Sequence, residues 1–318
     1  MTSPSSESVD QRQARFNRST RSHWQHFAPH RARVQELILT GRELTPGGKF
    51  IALGAGNCND LELRELLGAF GEVHLVDLDP AALTAACERQ GVSGSPGLRL
   101  HAPIDLTGIA GIVSSWKAKA PRLPDVRQAV QASDTAVTPD LNGPFDVVLS
   151  SCVLSQLVGY ATDALGGDRQ PGFRDLVRAI RARHLRLMTD LLAPGGTGLL
   201  ICDLVSSDSL QDLPRVREHE LTGLIQKLAR DGNFFSGLFP DALVAALHRG
   251  PDTGPRVCDV RLLPPWLWRL GPQRTFLVYA VRFRKSVDSD IMLGGLTGSQ
   301  RCDKPAIRSG TSETFILP

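Results

Sequence analysis

The stretch KFIALGAGNCNDLELRELL, residues 49–67, decides the fold. It indicates a short strand over 49–53, a glycine-rich turn at Gly54 and Gly56, and a helix that begins near residue 61. Glycine lacks a Cβ atom, so the backbone can turn sharply there and a ligand can approach the end of the strand closely. A strand, a glycine turn and a helix in this order are typical of the first unit of a parallel α/β sheet.

Further strands and helices continue this alternation along the chain. We predict strands over 73–76, 98–102, 145–149, 199–203, 257–263 and 275–283, and long helices over 173–191 and 214–230. The last two strands are joined without a helix and should therefore pair antiparallel. Pro103 follows the third strand, and because proline cannot donate to a ladder, that strand is expected at a sheet edge.

Composition excludes several classes of protein. The 318 residues carry a formal net charge of +3, too little to give a global field for nucleic acid or a membrane. The N-terminus has no apolar core for a signal peptide, and no run of about 18 apolar residues follows, so we expect a cytoplasmic protein without membrane contact. The six cysteines show no CxxC pair and no zinc spacing, so we expect reduced thiols and no bound metal.

Four regions are expected along the chain. Residues 1–12 are polar and serine-rich, and residues 285–318 are rich in glycine, serine and aspartate, so both ends are predicted to be disordered. Residues 13–47 carry aromatic side chains among polar ones and are predicted to form a helical lid. The main domain is expected over 48–284.

Five features in chain order resemble the class I S-adenosylmethionine-dependent methyltransferases. They are Gly54-Ala-Gly56 after strand one, Asp77 after strand two, Asp105-Leu-Thr-Gly108 after strand three, Phe145-Asp146 opening strand four, and Leu192-Ala-Pro-Gly-Gly196 before strand five. The resemblance implies an α/β fold with a Rossmann-like seven-stranded sheet, in the order 3-2-1-4-5-7-6. That sheet is mostly parallel, with the last strand antiparallel and helices on both faces. The resemblance also implies S-adenosyl-L-methionine as the cofactor and methyl transfer as the activity.

The resemblance also implies which residues bind the cofactor. They are Gly54, Ala55, Gly56, Asn57, Asp77, Leu78, Asp105, Leu106, Ser150 and Ser151. Asp77 is expected to accept two ribose hydroxyls. Asp105 resembles the acceptor for the adenine amine, with the backbone amide of Leu106 donating to the ring. The alternative interpretations are a tight turn without a ligand for the glycines, a helix-capping aspartate for Asp77 and a plain turn aspartate for Asp105. The capping role fits Asp79 better than Asp77, because Pro80 follows Asp79.

Two positions depart from the family pattern. The acid usually found two positions before the first glycine is Ala52 here, and the third glycine is Cys58. The contact to the amino-acid end of the cofactor must then come from elsewhere or be weaker. Asn57, Asn59 and Asp60 are candidates for it, although Asn59 or Asp60 can instead cap the following helix.

The acceptor is constrained less than the cofactor. No (D/N)PP(Y/F) motif follows the fourth strand, which argues against methylation of adenine or glutamine amides and leaves O-, N- and C-methylation of small molecules open. Because in-line methyl transfer depends mainly on positioning, no catalytic residue is assigned. Candidate acceptor-binding residues are Trp24, Tyr160, Trp266 and Trp268, each of which has an ordinary packing role as its alternative.

Two other functions compete with methylation of a small molecule. Residues 11–34 carry six arginines interleaved with aromatics and no acid, so a nucleic-acid-binding protein or an RNA methyltransferase is the runner-up. The nearly neutral chain nevertheless favours a small-molecule acceptor. A nicotinamide-dependent dehydrogenase would need glycine where Asn59 stands. The sequence does not specify the oligomeric state.

Overall fold

Seven strands form one sheet in the computed structural model, which describes residues 7–40, 47–116, 120–271 and 274–287. The strands are β1 Lys49–Leu53, β2 Glu72–Val76, β3 Leu98–His101, β4 Phe145–Ser151, β5 Leu192–Ser206, β6 Val257–Leu270 and β7 Arg274–Lys285. Their order is β3-β2-β1-β4-β5-β7-β6. Strand β7 runs antiparallel to β5 and β6, and the other neighbours are parallel. The predicted fold class and strand order are confirmed.

Helices cover both faces of this sheet. The helices of the described residues are α1 Val9–Thr20, α2 Ala28–Leu39, α3 Leu63–Ala69, α4 Pro80–Gln90, α5 Ala110–Ser115, α6 Leu123–Thr135, α7 Leu154–Leu165, α8 Phe173–Leu191, α9 Leu221–Asp231 and α10 Pro240–Arg249. One hydrophobic cluster joins the sheet to α5 through α10, and a second joins it to α2, α3 and α4. Within the described residues, no helix has the length and apolar character needed to cross a membrane.

Strand β1 shows why the sequence around it is so apolar. Ile51 and Leu53 belong to the first hydrophobic cluster, whereas Phe50 and Ala52 belong to the second. Successive side chains of a strand point to opposite faces, and here both faces are covered by helices. A continuous apolar run is therefore what this central strand requires.

Several element boundaries differ from the prediction. Strand β6 continues through Pro264 and Pro265 to Leu270, because an edge strand tolerates proline and the register shifts between Leu263 and Trp266. Strand β5 begins at Leu192, seven residues before the predicted start. Helix α9 begins at Leu221, since residues 213–215 and 218–220 form short 3-10 turns instead. The edge position of β3 is confirmed.

The chain ends also require corrections. Predicted disorder over 1–12 is wrong for residues 9–12, which begin α1 behind a capping box of Ser8 and Gln11. At the other end, β7 continues to Lys285. Residues 1–6 and 288–318, and residues 41–46 of the predicted lid, lie outside the described residues.

Helix α2 belongs to the core, although it was predicted as part of the lid over 13–47. Its side chains Val34, Leu37 and Ile38 are at most 5% exposed and pack in the second hydrophobic cluster. Of the two helices described within the predicted lid, α1 has the position of a cover. In α1, Asn17 and Thr20 are the buried residues.

Candidate functional site

A cavity of about 1150 Å³ lies at the carboxyl ends of the parallel strands. The residues that follow these strands line it, among them Gly54, Asp77, Asp105 and Ser151. In open α/β sheets, ligands bind outside the carboxyl ends of the strands where the strand order reverses. Here the reversal lies between β1 and β4, which places this cavity at the expected ligand crevice.

The turn after β1 has no room for larger residues. Gly54 and Gly56 have φ angles of +68° and +48°, in the left-handed region that favours glycine. A Cβ atom on Gly54 would lie 2.5 Å from the Cγ2 atom of Val153, which follows β4. Gly54 thus lets the β1 turn approach the β4 turn, whereas Gly56 leaves room for Asn17 of α1, whose Oδ1 atom would lie 3.1 Å from a Cβ atom there.

Asp77 ties the β1 turn to the end of β2. Its Oδ2 atom accepts a hydrogen bond from the amide of Gly56 at 2.8 Å, and its Oδ1 atom accepts one from the amide of Asp79 at 2.9 Å. The residue is only 2% exposed. Burial raises the pKa of Asp77, while the two amide donors oppose that rise. Each carboxylate oxygen keeps a second lone pair for a further donor.

Asp79 has a different task two residues later. Its Oδ1 atom caps α4 by accepting from the amides of Ala81 and Ala82. This is the capping role that Pro80 predicts. The Oδ2 atom of Asp79 accepts a hydrogen bond from Asn17 of α1 at 3.2 Å, so the same side chain also holds the cover.

Two asparagines of the glycine turn hold α1 over the cavity. Asn57 donates from Nδ2 to the carbonyl of Asn17 at 2.6 Å, and Asn59 donates to the carbonyl of Thr20 at 2.9 Å. Both asparagines line the cavity and are 5% exposed. Their Oδ1 atoms are buried without a hydrogen-bond partner among the described residues. Their side-chain nitrogens are therefore committed to α1.

One face of α1 forms the roof of the cavity. Its lining residues are Val9, Arg12, Gln13, Phe16, Asn17, Ser19 and Thr20, largely spaced by three or four residues as one helical face requires. The Arg12 guanidinium reaches α7, where it lies 2.5 Å from the Asp163 carboxylate and 5.5 Å from the ring centre of Tyr160.

Asp105 lines the cavity and also organises its own turn. Its Oδ1 atom accepts from the amide and hydroxyl of Thr107, and its Oδ2 atom accepts from the amide of Ala110 at the start of α5. These bonds match the plain-turn interpretation of this residue. Leu106 lies beside it in the cavity wall.

Comparison with known proteins finds similarity in fold and none in sequence. The sequence matches no protein-family model and no curated protein. One similar solved structure is an O-methyltransferase family protein from Burkholderia thailandensis, with 13% identity over 87% of this chain and 60% of that chain and a TM-score of 0.45. Another is a SAM-dependent methyltransferase from Methanosarcina mazei, with 13% identity over 79% of this chain and 98% of that chain and a TM-score of 0.43.

At this low similarity, the strand order of the sheet decides the fold family. The order β3-β2-β1-β4-β5-β7-β6 with β7 antiparallel is the one implied by the resemblance. The chain has the class I methyltransferase fold. Nicotinamide dinucleotides bind to a sheet in the order 3-2-1-4-5-6 instead. The sheet of this chain therefore differs from the sheet that binds nicotinamide dinucleotides.

Three predicted site residues of this methyltransferase fold do not line the cavity. The Ser150 hydroxyl lies 2.7 Å from Nε2 of His184 in the core, because alternation along β4 turns Ser150 away and Ser151 towards the cavity. The Trp24 ring packs against the guanidinium groups of Arg31 and Arg89, with carbon-to-centroid distances of 3.5 and 4.5 Å.

Of the two tryptophans of β6, one lies outside the cavity and the other lines it. Trp266, the third residue outside the cavity, donates from its indole nitrogen to Nδ1 of His30 at 3.2 Å. Trp268, two residues later, lines the cavity, as does Tyr160. Phe27, which precedes α2, also lines it.

An aromatic cluster forms one end of the cavity, where β6 and β7 meet α2. The Trp268 ring stacks on His30 with ring centres 4.4 Å apart and on Phe276 with ring centres 5.0 Å apart. Phe27 meets the same ring edge-on at 4.8 Å. His30 and Phe276 were missed by sequence reasoning, because only strand pairing and the docking of α2 bring them beside Trp268.

Burial sets the ionisation of several groups in and beside the cavity. It lowers the pKa of His30 to about 3, so this ring is neutral and Nδ1 can accept from Trp266. Burial raises the pKa of Asp203, on β5, to about 6. The sequence analysis did not identify Asp203 either, because an aspartate within an apolar strand belongs to no recognisable motif.

Proposed function

We propose that this protein is an S-adenosyl-L-methionine-dependent methyltransferase whose acceptor is a small molecule. The observation that carries the proposal is Asp77, a buried carboxylate in the ligand crevice that is tied to the amide of Gly56. A carboxylate at the end of β2 beside a glycine turn is suited to a ribose. The class I fold supports the same activity.

The described residues fit this cofactor. Asp77 keeps lone pairs for two ribose hydroxyls, and the turn from Gly54 to Asn57 lets the ligand approach the backbone. We assign the adenine ring to the wall made by Asp105 and Leu106. Leu78 and Ser151 complete the proposed cofactor contacts.

We assign the ammonium group of the cofactor to Asp60. The position that usually carries the acid is Ala52, which is buried within β1. An ammonium group donates hydrogen bonds, and the Oδ1 atoms of Asn57 and Asn59 are free to accept them, but neither amide carries a negative charge. Asp60 lines the cavity as a carboxylate, so it is the best-placed acidic substitute.

The chemistry requires little more than placement and exclusion of water. S-adenosylmethionine supplies a methyl group on a sulfonium sulfur, which is a good leaving group. The roof formed by α1 and the turns after β1 and β4 would exclude water and orient the acceptor.

The cavity favours a small acceptor over nucleic acid. Its volume of about 1150 Å³ exceeds the roughly 300–1,000 Å³ of typical ligand pockets, so it has room for a cofactor and a small second ligand. Four of the six N-terminal arginines form ion pairs with acids of the protein itself: Arg12, Arg15, Arg31 and Arg33. The buried free cysteines Cys58, Cys87, Cys152 and Cys202 suit the proposed cytoplasmic location.

The test is a calorimetric titration of the purified protein with S-adenosylmethionine, with S-adenosylhomocysteine and with NAD. We expect the first two to bind at one site and NAD not to bind. Binding of neither S-adenosyl compound, or binding of NAD in their place, would overturn the proposal.

A further inference from the structure

Asp203 is a buried carboxylate that the cofactor does not account for. It lies on β5, lines the cavity and is 8% exposed. Its Oδ1 atom accepts a hydrogen bond from the Ser155 hydroxyl at 2.5 Å. Among the described side chains, Ser155 is the one that donates to this carboxylate. A buried carboxylate with an uncommitted oxygen is costly unless a ligand or a proton satisfies it.

The sheet places Asp203 beside the aromatic cluster of Phe27, His30, Trp268 and Phe276. Asp203 pairs with Val278 on β7, and Phe276 lies two residues away on the same face of that strand. Phe276 in turn pairs with Trp268 on β6. The carboxylate and the aromatic cluster thus share the end of the cavity beyond the proposed cofactor site.

Charge at this end favours a cationic ligand. The cations lining the cavity already have anionic partners, since Arg12 pairs with Asp163, and Arg274 pairs with Asp208 at 2.7 Å. Asp203 has no such cation within ion-pair distance among the described residues. Faces of aromatic rings attract cations as well, and most strongly where water is excluded.

We propose that the acceptor is a primary or secondary amine carried on a planar apolar group, and that Asp203 binds its ammonium group and then takes its proton. This inference rests on the proposed function. The planar group would lie on the aromatic cluster, and Ser155 would hold the carboxylate in place.

The proton and the electrons balance in this scheme. The ammonium group gives one proton to the uncommitted oxygen of Asp203, which leaves a lone pair on nitrogen. That lone pair forms the bond to the methyl carbon as the carbon–sulfur bond breaks, and the electrons of the broken bond stay on sulfur. Asp203 later returns its proton to solvent.

The surroundings of Asp203 make it a suitable proton acceptor near neutral pH. Burial raises its pKa to about 6, while the Ser155 hydroxyl and the charge of Arg274 oppose the rise. Burial also raises the pKa values of its other ionisable neighbours, Cys152, Cys202 and Tyr279, so these stay neutral. Asp203 is then ionised above about pH 6 and protonated below it.

The experiment measures binding without turnover, in the full chain saturated with S-adenosylhomocysteine. The probes are 2-phenylethylamine and tryptamine, each compared with the alcohol of the same skeleton. We expect the amines to bind about ten- to a hundredfold more tightly than the alcohols at pH 7.5. Asp203→Asn should abolish this preference and leave S-adenosylhomocysteine binding unchanged. Asp231→Asn, which removes a carboxylate of α9 outside the cavity, is the matched control for net charge and should behave as wild type.

Each arm can overturn the inference separately from the proposed function. Wild type that binds S-adenosylhomocysteine but shows no preference for amines contradicts the inference alone. Amine binding that persists in Asp203→Asn contradicts it too. If that variant fails to fold, Ser155→Ala provides the test. In Ser155→Ala the Asp203 carboxylate loses a hydrogen-bond donor that stabilises its charged form. The pH below which amine binding is lost should therefore rise above the wild-type value of about 6. An unchanged midpoint would contradict the role of Asp203.

Discussion

The two ends of the cavity are built from very different parts of the chain. The end proposed for the cofactor, called the cofactor end below, consists of the turns that follow the strands and of hydrogen bonds to backbone amides within and between them, as at Asp77 and Asp105. The end proposed for the acceptor, called the acceptor end below, consists of side chains from α2 and the residue before it, from α7 and from three strands, among them Phe27, Ser155 and Asp203. The first end depends on local geometry, and the second depends on tertiary packing.

The acceptor end is also part of the packed core. His30 and Trp268 are 2% and 8% exposed and stack on each other, so each is part of the core as well as of the site. At the cofactor end, α1 contributes polar contacts from Asn17 and Thr20 instead. Changes at the two ends should therefore separate effects on stability from effects on binding.

The largest expected effect comes from two truncations that separate α1 from α2. Deleting residues 1–20 should leave the fold intact and weaken S-adenosylhomocysteine binding by about tenfold or more, since water would compete for the opened polar site. Deleting residues 1–40 should prevent folding. It removes Val34, Leu37 and Ile38, and burial of each contributes about 1.5–3 kcal/mol, a large share of a typical stability of roughly 5–15 kcal/mol.

Circular dichroism melts and calorimetry check both truncations. If the chain without residues 1–40 melts as cooperatively as the full chain, α2 is not part of the core. If the chain without residues 1–20 binds as tightly as the full chain, α1 does not act as a cover.

A smaller effect is expected from Asp60→Asn at the cofactor end. Loss of the charged contact should weaken S-adenosylmethionine binding by about tenfold. Binding of 5′-methylthioadenosine, which lacks the amino-acid end, should not change. Competition calorimetry with both ligands measures this difference. Equal weakening of the two ligands would place Asp60 elsewhere in the site.

The smallest effect concerns His30 at the acceptor end. Its folded pKa of about 3 lies below the unfolded value of 6.5, so the unfolded state binds the proton first and stability falls as pH drops below about 6.5. Between pH 7 and pH 5, wild type should lose about 2 kcal/mol more of its unfolding free energy than His30→Phe. Urea melts at both pH values measure the difference. Equal losses would mean that His30 is not held neutral.

The residues predicted for the cofactor mostly line the cavity, and their sequence signals are short. The glycine turn, the acid after β2 and the capping Asp79 each occupy a few consecutive residues, and the strand order follows from the family that they resemble. The acceptor end has no such signal. Residues as distant as His30, Asp203 and Phe276 meet only through the pairing of β5, β7 and β6 and the docking of α2.

Local sequence signals also fail where tertiary packing decides whether a side chain lies in the cavity or outside it. Trp24 was predicted for the acceptor site, yet two arginines cover its ring. Ser150 differs from Ser151 by one position on β4, and that position decides between the core and the cavity. The positions of Trp24 and Ser150 depend on how α4 and α8 pack, which the local sequence does not indicate.

The most direct test of the account compares Asp77→Ala with Asp79→Ala by calorimetric titration with S-adenosylhomocysteine. Both variants lose bonds to backbone amides, so both should lose about 1 kcal/mol or more of stability. Their affinities should differ, because only Asp77 is assigned to the ribose. We predict that Asp77→Ala weakens binding by about ten- to a hundredfold and Asp79→Ala by much less. Binding by folded Asp77→Ala that equals wild type would contradict the account.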